Sequence, residues 1–170
     1  MRNFNVFNLT AVLVLVFFLF PALSSATEKK HYMPAAEGED FLSYITEVNP
    51  YQNWELWPGT EELYEGTEPH GVLLTTYVNK PALKGIKKGK LEQGMPQGSI
   101  IVKENYSPEE ELVSVTSMYK VEGFNPEVGD WFWVNHTPDE EIDAAGKVQG
   151  CIDCHSQVEN RDYLFIDAHE

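Results

Sequence analysis

Along the 170-residue chain the spacing of apolar positions changes character repeatedly. Leu9–Phe20 is an almost unbroken apolar run behind a short segment carrying one charge, Arg2. Pro21 follows, and then Ser24 and Ala26, small residues at the −3 and −1 positions of a signal-peptidase site. This pattern predicts an export signal over 1–26, cleaved after about Ala26, and a periplasmic mature protein. A run of about a dozen apolar residues falls short of the roughly 20 that span a bilayer, so no stable membrane anchor is expected. Glu39–Val48 places Phe41, Leu42, Ile45 and Val48 at helical spacing, and Asn49-Pro50 ends it. Asn53–Tyr64 mixes aromatics with a Pro58-Gly59 turn and reads as one or two helical turns.

Beyond Tyr64 the period shortens. Gly71–Val78, Ser99–Glu104, Leu112–Val121 and Trp131–Val134 are rich in β-branched and aromatic residues and read as strands. Ala82–Lys90 reads as a basic helix, Asn105–Glu110 as a turn, and Asp139–Lys147 as a lead into the C-terminal segment. Four strands joined by short connections predict an α+β fold, mainly an antiparallel sheet with flanking helices. The domain division expected is 1–26 signal, 27–62 helical segment and 63–170 sheet domain.

Charge narrows the partners. Twelve Lys+Arg stand against 27 Asp+Glu, a formal net charge of −15. Such an excess of acid argues against nucleic acid and anionic lipid, both of which are recognised through basic side chains. A hydrophobic content of 42% is too apolar for a disordered acidic tail.

The two cysteines share one motif, Cys151-Ile152-Asp153-Cys154-His155. A disulfide over two intervening residues closes too short a loop to stabilise much. A zinc site would want a second ligand pair, and a thioredoxin-type pair belongs early in a strand–helix unit. On a helical turn, positions i and i+3 share a face, so both thiols can reach the vinyl groups of one haem, with His155 beneath the iron. Cys-x-x-Cys-His is the attachment signature of a single covalent haem c. Its place at the C-terminal end differs from small helical c-type cytochromes and predicts haem on a sheet.

The order His70-Gly71, Ser99–Glu104, Val113–Lys120, Gly129–Trp133, Cys151–His155 and Asp162–Phe165 resembles the cytochrome P-460 family, which includes the cytochrome c′-beta proteins. The resemblance implies a mainly antiparallel fold, one five-coordinate c-type haem with His155 as axial ligand, and a small nitrogen-oxide ligand. In hydroxylamine-oxidising members a lysine is bonded to the porphyrin, and Lys103 is the matching position. Those members also carry a distal carboxylate, where an ungapped match puts Thr116. A threonine hydroxyl can donate a hydrogen bond but is no useful base. His70 and His136 are candidate substitutes. Homodimers also occur in the family.

Read from the residues alone, Ser99, Ile101 and Lys103 share one strand face, and Ile100, Val102 and Glu104 the other; the alternation leaves open which meets the core. One aromatic set of Trp131–Trp133 is a candidate pocket wall. Lys84–Lys90 or Arg161 are candidates to balance haem propionates. Two functions follow from the haem motif and the resemblance together: NO binding or hydroxylamine/NO oxidation at an open distal site, or electron transfer to an unidentified redox partner by a haem six-coordinate through His70, His136 or Met118.

Overall fold

A computed structural model describes residues 32–67 and 69–165, together with Met1; the predicted signal segment and its cleavage point lie outside the described residues. Gly38–Ser43 forms α1 and runs on into a wider π turn at Tyr44–Val48. Its Phe41, Leu42, Tyr44 and Ile45 are all buried, one apolar stripe of an amphipathic element. A 3₁₀ turn at Tyr51–Asn53 follows. The stretch expected as helical turns instead yields two short strands, Glu55–Leu56 (β1) and Tyr64–Glu65 (β2). Both pair with Leu73–Val78 (β3), β1 at its end and β2 at its start. At two residues each, they are set by their partner and not by an alternation readable along the chain.

Lys80–Lys88 forms α2. It starts earlier than its basic residues suggest because Asn79 caps it, accepting from Ala82 N at 3.0 Å, with Pro81 in the first turn. Gly89 (φ 63°) ends it in the left-handed region. Ile100–Tyr106 (β4), Leu112–Lys120 (β5), Trp131–His136 (β6) and Ile142–Gly146 (β7) complete the sheet. Gln149–His155 (α3) and a 3₁₀ stretch at Ser156–Arg161 close the described chain.

The sheet is antiparallel throughout, with order β1-β3-β4-β5-β6-β7 and β2 also against β3. Among the described residues, seven strands thus replace the four read from the sequence. β7 escapes because Ile142–Gly146 (IDAAG) carries a single large apolar residue and sits at the sheet edge. Asn105, read as the start of a turn, is still in β4, paired with Leu74 and Ser114.

Alternation divides the sheet into two buried faces. Ile100, Val102, Val115, Tyr119, Phe132 and Val134 meet α1 and its π turn. Phe41 stacks on Tyr119 at 5.6 Å and meets Phe132 edge-on at 5.8 Å. Ile101, Met118, Trp131 and Trp133 meet Ala82 of α2, Ile152 of α3, and Tyr163 and Leu164. Truncating one such fully buried aromatic to Ala costs about 3–5 kcal/mol. The second face carries the site.

Candidate functional site

Between the second sheet face and α3 lies a cleft of about 630 Å³ that opens partly to solvent. Residues from β3, β4, β5 and β6 wall one side, and Cys151, His155, Leu164 and Phe165 the other. Both thiols are unbonded, one helical turn apart on α3, and Cys151 reaches the cleft. Burial, with Cys154 nearby, pushes the Cys151 thiol up, so it rests protonated. Ile152, buried between them, anchors α3 to the sheet.

His155 ends α3, and its Nδ1 lies 2.6 Å from the Tyr163 carbonyl oxygen. A carbonyl only accepts, so Nδ1 carries the proton and Nε2 carries the lone pair. Tying the other ring nitrogen to a carbonyl is how proteins orient a metal-binding imidazole. Burial holds the ring below its usual basicity; the Tyr163 bond opposes this, and the Lys103 ammonium adds to it. Trp133 and Phe165 flank the ring at 4.7 and 5.2 Å.

The segment that supplies this carbonyl is strapped down. Asp162 and Tyr163 both have positive φ (55° and 65°), a strained pair for residues with side chains. Asp162 holds the turn by taking the Lys120 ammonium at 2.6 and 2.8 Å and the Met95 N–H at 2.6 Å. Its carbonyl accepts from Trp131 Nε1 at 2.9 Å. Gly129 completes the strap, because a Cβ there would lie 2.7 Å from the Tyr163 ring.

Lys103 and Thr116, paired directly across β4 and β5, both line the cleft. Beside them stands His70, whose Nδ1 lies 3.1 Å from Asn105 Oδ1 and 3.4 Å from Thr116 Oγ1. Asn105 faces this way because its Nδ2 donates to the carbonyls of Ser114 and Lys103 and to the hydroxyls of Ser114 and Thr116. Gly71 permits the approach, since a Cβ would sit 2.5 Å from Tyr106 N. Met118 and Trp133 line the cleft too, whereas Phe132 faces α1. His136 does not join them: it pairs with Val115 beyond a bulge, is buried, and bonds Thr137 O at 2.8 Å through Nδ1. Neither Arg161 nor the α2 lysines line the cleft, and Lys103 is the one Lys, Arg, Asp or Glu that does among the described residues.

Sequence reading missed Asn105, Trp57, Tyr64 and Thr76 as cleft-region residues. Asn105 was hidden by its resemblance to a turn residue, Tyr64 and Thr76 belong to strands too short or too apolar to signal a site, and Trp57 follows the two-residue β1 outside any regular element.

The donor set fits a haem: two thiols spaced for two thioethers, and an imidazole with its lone pair fixed on Nε2. Trp133 Nε1 adds a buried N–H with no acceptor among the described residues, at the cleft wall. A buried donor of this kind is costly unless something polar completes it. No group of three or more His, Cys, Asp or Glu that would hold a bare metal ion occurs among the described residues. No described helix is long and apolar enough to cross a membrane. Among curated proteins, none matches the sequence significantly. A sequence model of the cytochrome P-460 family matches residues 49–166, more than half of the chain and all of the cleft described above. The chain therefore belongs to the cytochrome P-460 family of haem-binding cytochromes.

Proposed function

We propose that this is an exported monohaem cytochrome, with haem bonded through Cys151 and Cys154, held by His155, and acting on a small nitrogen oxide at the opposite side of the ring. The observation that carries this reading is the Cys151–His155 turn, with Nδ1 of His155 tied to Tyr163 O at 2.6 Å. When bound, haem iron would supply reversible nitrogen-oxide binding and one-electron chemistry. The protein's own residues do the rest. His155 offers Nε2, and the Asp162 strap prevents its ring from turning. Trp133 offers an N–H to a polar edge of the occupant. Ile101, Met118 and Leu164 exclude water, which favours an apolar gas over hydrated anions. Lys103 places one positive charge in the cleft, suited to a carboxylate or to a covalent bond with the ring. Thr116 and His70 supply the polar side, where a carboxylate base is replaced by a hydroxyl and an imidazole.

The test is maturation in a host with c-type haem machinery, followed by intact mass and a ferrous spectrum with NO. The expected outcome is one added haem that resists acidified-solvent extraction and a spectrum that changes with NO. Cys151→Ser with Cys154→Ser should abolish the added mass. Wild-type protein with no added haem would overturn the reading.

A further inference from the structure

Charge is not spread evenly over this chain. Residues 79–98 hold Lys80, Lys84, Lys87, Lys88 and Lys90 against one acid, Glu92, although the formal net charge of the whole is −15. All five lysines are exposed, and among the described residues none of them has an ion pair or a side-chain hydrogen bond. Lys80, Lys84, Lys87 and Lys88 lie one and two helical turns apart on α2, and with Leu83 they wall a shallow, open depression.

The fold itself gives no reason for this stripe. The helix dipole favours cations in the last turn, which accounts for Lys87 and Lys88. It disfavours Lys80 at the first helical position and is indifferent to Lys84. Lys80 and Lys84, and Lys84 and Lys88, are like charges four residues apart, which oppose the helix that carries them. Asn79, Pro81 and Gly89 start and stop α2, and none of them needs a lysine nearby. Nor does the cleft use the stripe, because none of the five lysines lines it. Yet the two are joined through the core. Leu83 and Ile86 pack against a cluster containing Met118, Trp133 and Leu164, and these three line the cleft. One helix and its packing layer therefore separate the stripe from the cleft's occupant.

We propose that the lysine stripe of α2 docks an acidic protein that exchanges single electrons with the haem; this rests on the reading that the cleft holds haem through His155. One electron passes from ferrous haem to an oxidised one-electron centre of the partner, with no bond made or broken and no proton moved. Carboxylates of the partner supply the acids that the stripe lacks internally, and the lysine field steers the approach. The strongly acidic remainder of the surface repels the same partner and so fixes where it lands.

The experiment uses the matured, haem-loaded full chain in its ferrous state, with ferricyanide as an anionic one-electron oxidant. A chain of this net charge with its electron exit elsewhere repels ferricyanide, so its oxidation speeds up as salt screens the repulsion. With the exit at the stripe, oxidation instead slows as ionic strength rises from about 0.01 to 0.15 M. Lys84→Gln and Lys147→Gln change net charge equally, but only Lys84→Gln is expected to be slower, roughly threefold at low salt. Poly-L-glutamate should bind by calorimetry at low salt, bind more weakly to Lys84→Gln, and slow the oxidation of wild type. A wild-type rate that rises with salt would overturn the proposal, as would equal rates in the two variants or no binding of poly-L-glutamate. Binding to phosphatidylglycerol vesicles in place of poly-L-glutamate would make the stripe a lipid contact and overturn the acidic protein. Absence of haem from wild type by mass would instead remove the reading on which the electron exchange stands.

Discussion

Lys103 and Glu104 are neighbours in the chain with opposite surroundings. Lys103 lines the cleft, while Glu104, 7% exposed, points to the α1 face. There Tyr51 and Tyr106 donate to its carboxylate at 2.8 and 2.7 Å, so a buried charge is met by hydroxyls and not by a cation. Lys103 contributes in two ways to the cleft: its charge lowers the basicity of His155, and its amine is the group through which a bond to the porphyrin would form. Under the second role, Lys103→Ala shifts the absorption spectrum of loaded protein, and a wild-type peptide containing residue 103 carries haem mass independently of the Cys151–Cys154 peptide. An unchanged spectrum and a haem-free peptide would restrict Lys103 to its charge. The face of β4 on which Lys103 lies was not decidable from alternation alone, because Ile100 and Val102 are as apolar as Ile101. Both faces of this strand are buried, which erases the polar half of the usual pattern.

At the scale of elements, the haem motif and its support are separate pieces joined by a strap. α3 brings Cys151, Cys154 and His155 to the cleft, but the orientation of His155 depends on a carbonyl eight residues away. That carbonyl is aimed by the two left-handed residues Asp162 and Tyr163, locked by Lys120 of β5. Removing the Asp162 carboxylate strands a mostly buried ammonium, and breaking such a pair costs about 3–5 kcal/mol. Asp162→Ala should therefore lower the melting temperature of loaded protein and disturb its axial-ligand spectrum together; Lys120→Met, which removes the ammonium but leaves the Asp162 carboxylate its bond from Met95 N–H, should affect melting more than spectrum. A spectrum unchanged in Asp162→Ala would separate the strap from the site. The motif itself was legible because two thiols at fixed spacing followed directly by a histidine form a pattern carried by side chains. The strap was legible only as a run of residues, since its work is done by a backbone carbonyl and positive-φ geometry that no side chain announces. β1, β2 and β7 were illegible for a related reason: short edge strands owe their form to a partner and carry little pattern of their own.

For the whole molecule, the tyrosines around Glu104 tie stability to alkaline pH. Burial pushes the Tyr77 hydroxyl up to about 12, with Glu104 adding to it, and pushes Tyr51 and Tyr106 higher still. In the unfolded chain these hydroxyls ionise near about 10. The folded state therefore binds more protons above pH 10, so their contribution is fully present below pH 10 and is lost as pH rises through about 12. Melting temperature should be flat from neutral pH to about 10 and then fall steeply. Glu104→Gln, which removes the carboxylate's repulsion of phenolate, should make that fall shallower even though it lowers the neutral-pH plateau. An equal slope would mean burial alone protects the hydroxyls. The alternation of β4 also governs how this chain tolerates changes of length. Inserting or deleting one residue between Ile100 and Asn105 would exchange the amine and the carboxylate, sending each into the other's chamber. The hairpin tip, where Ser107 N bonds Glu111 O at 2.9 Å, belongs to neither chamber. Drift in length can therefore accumulate at that tip, while the strand beside it stays fixed in count even where its residues vary.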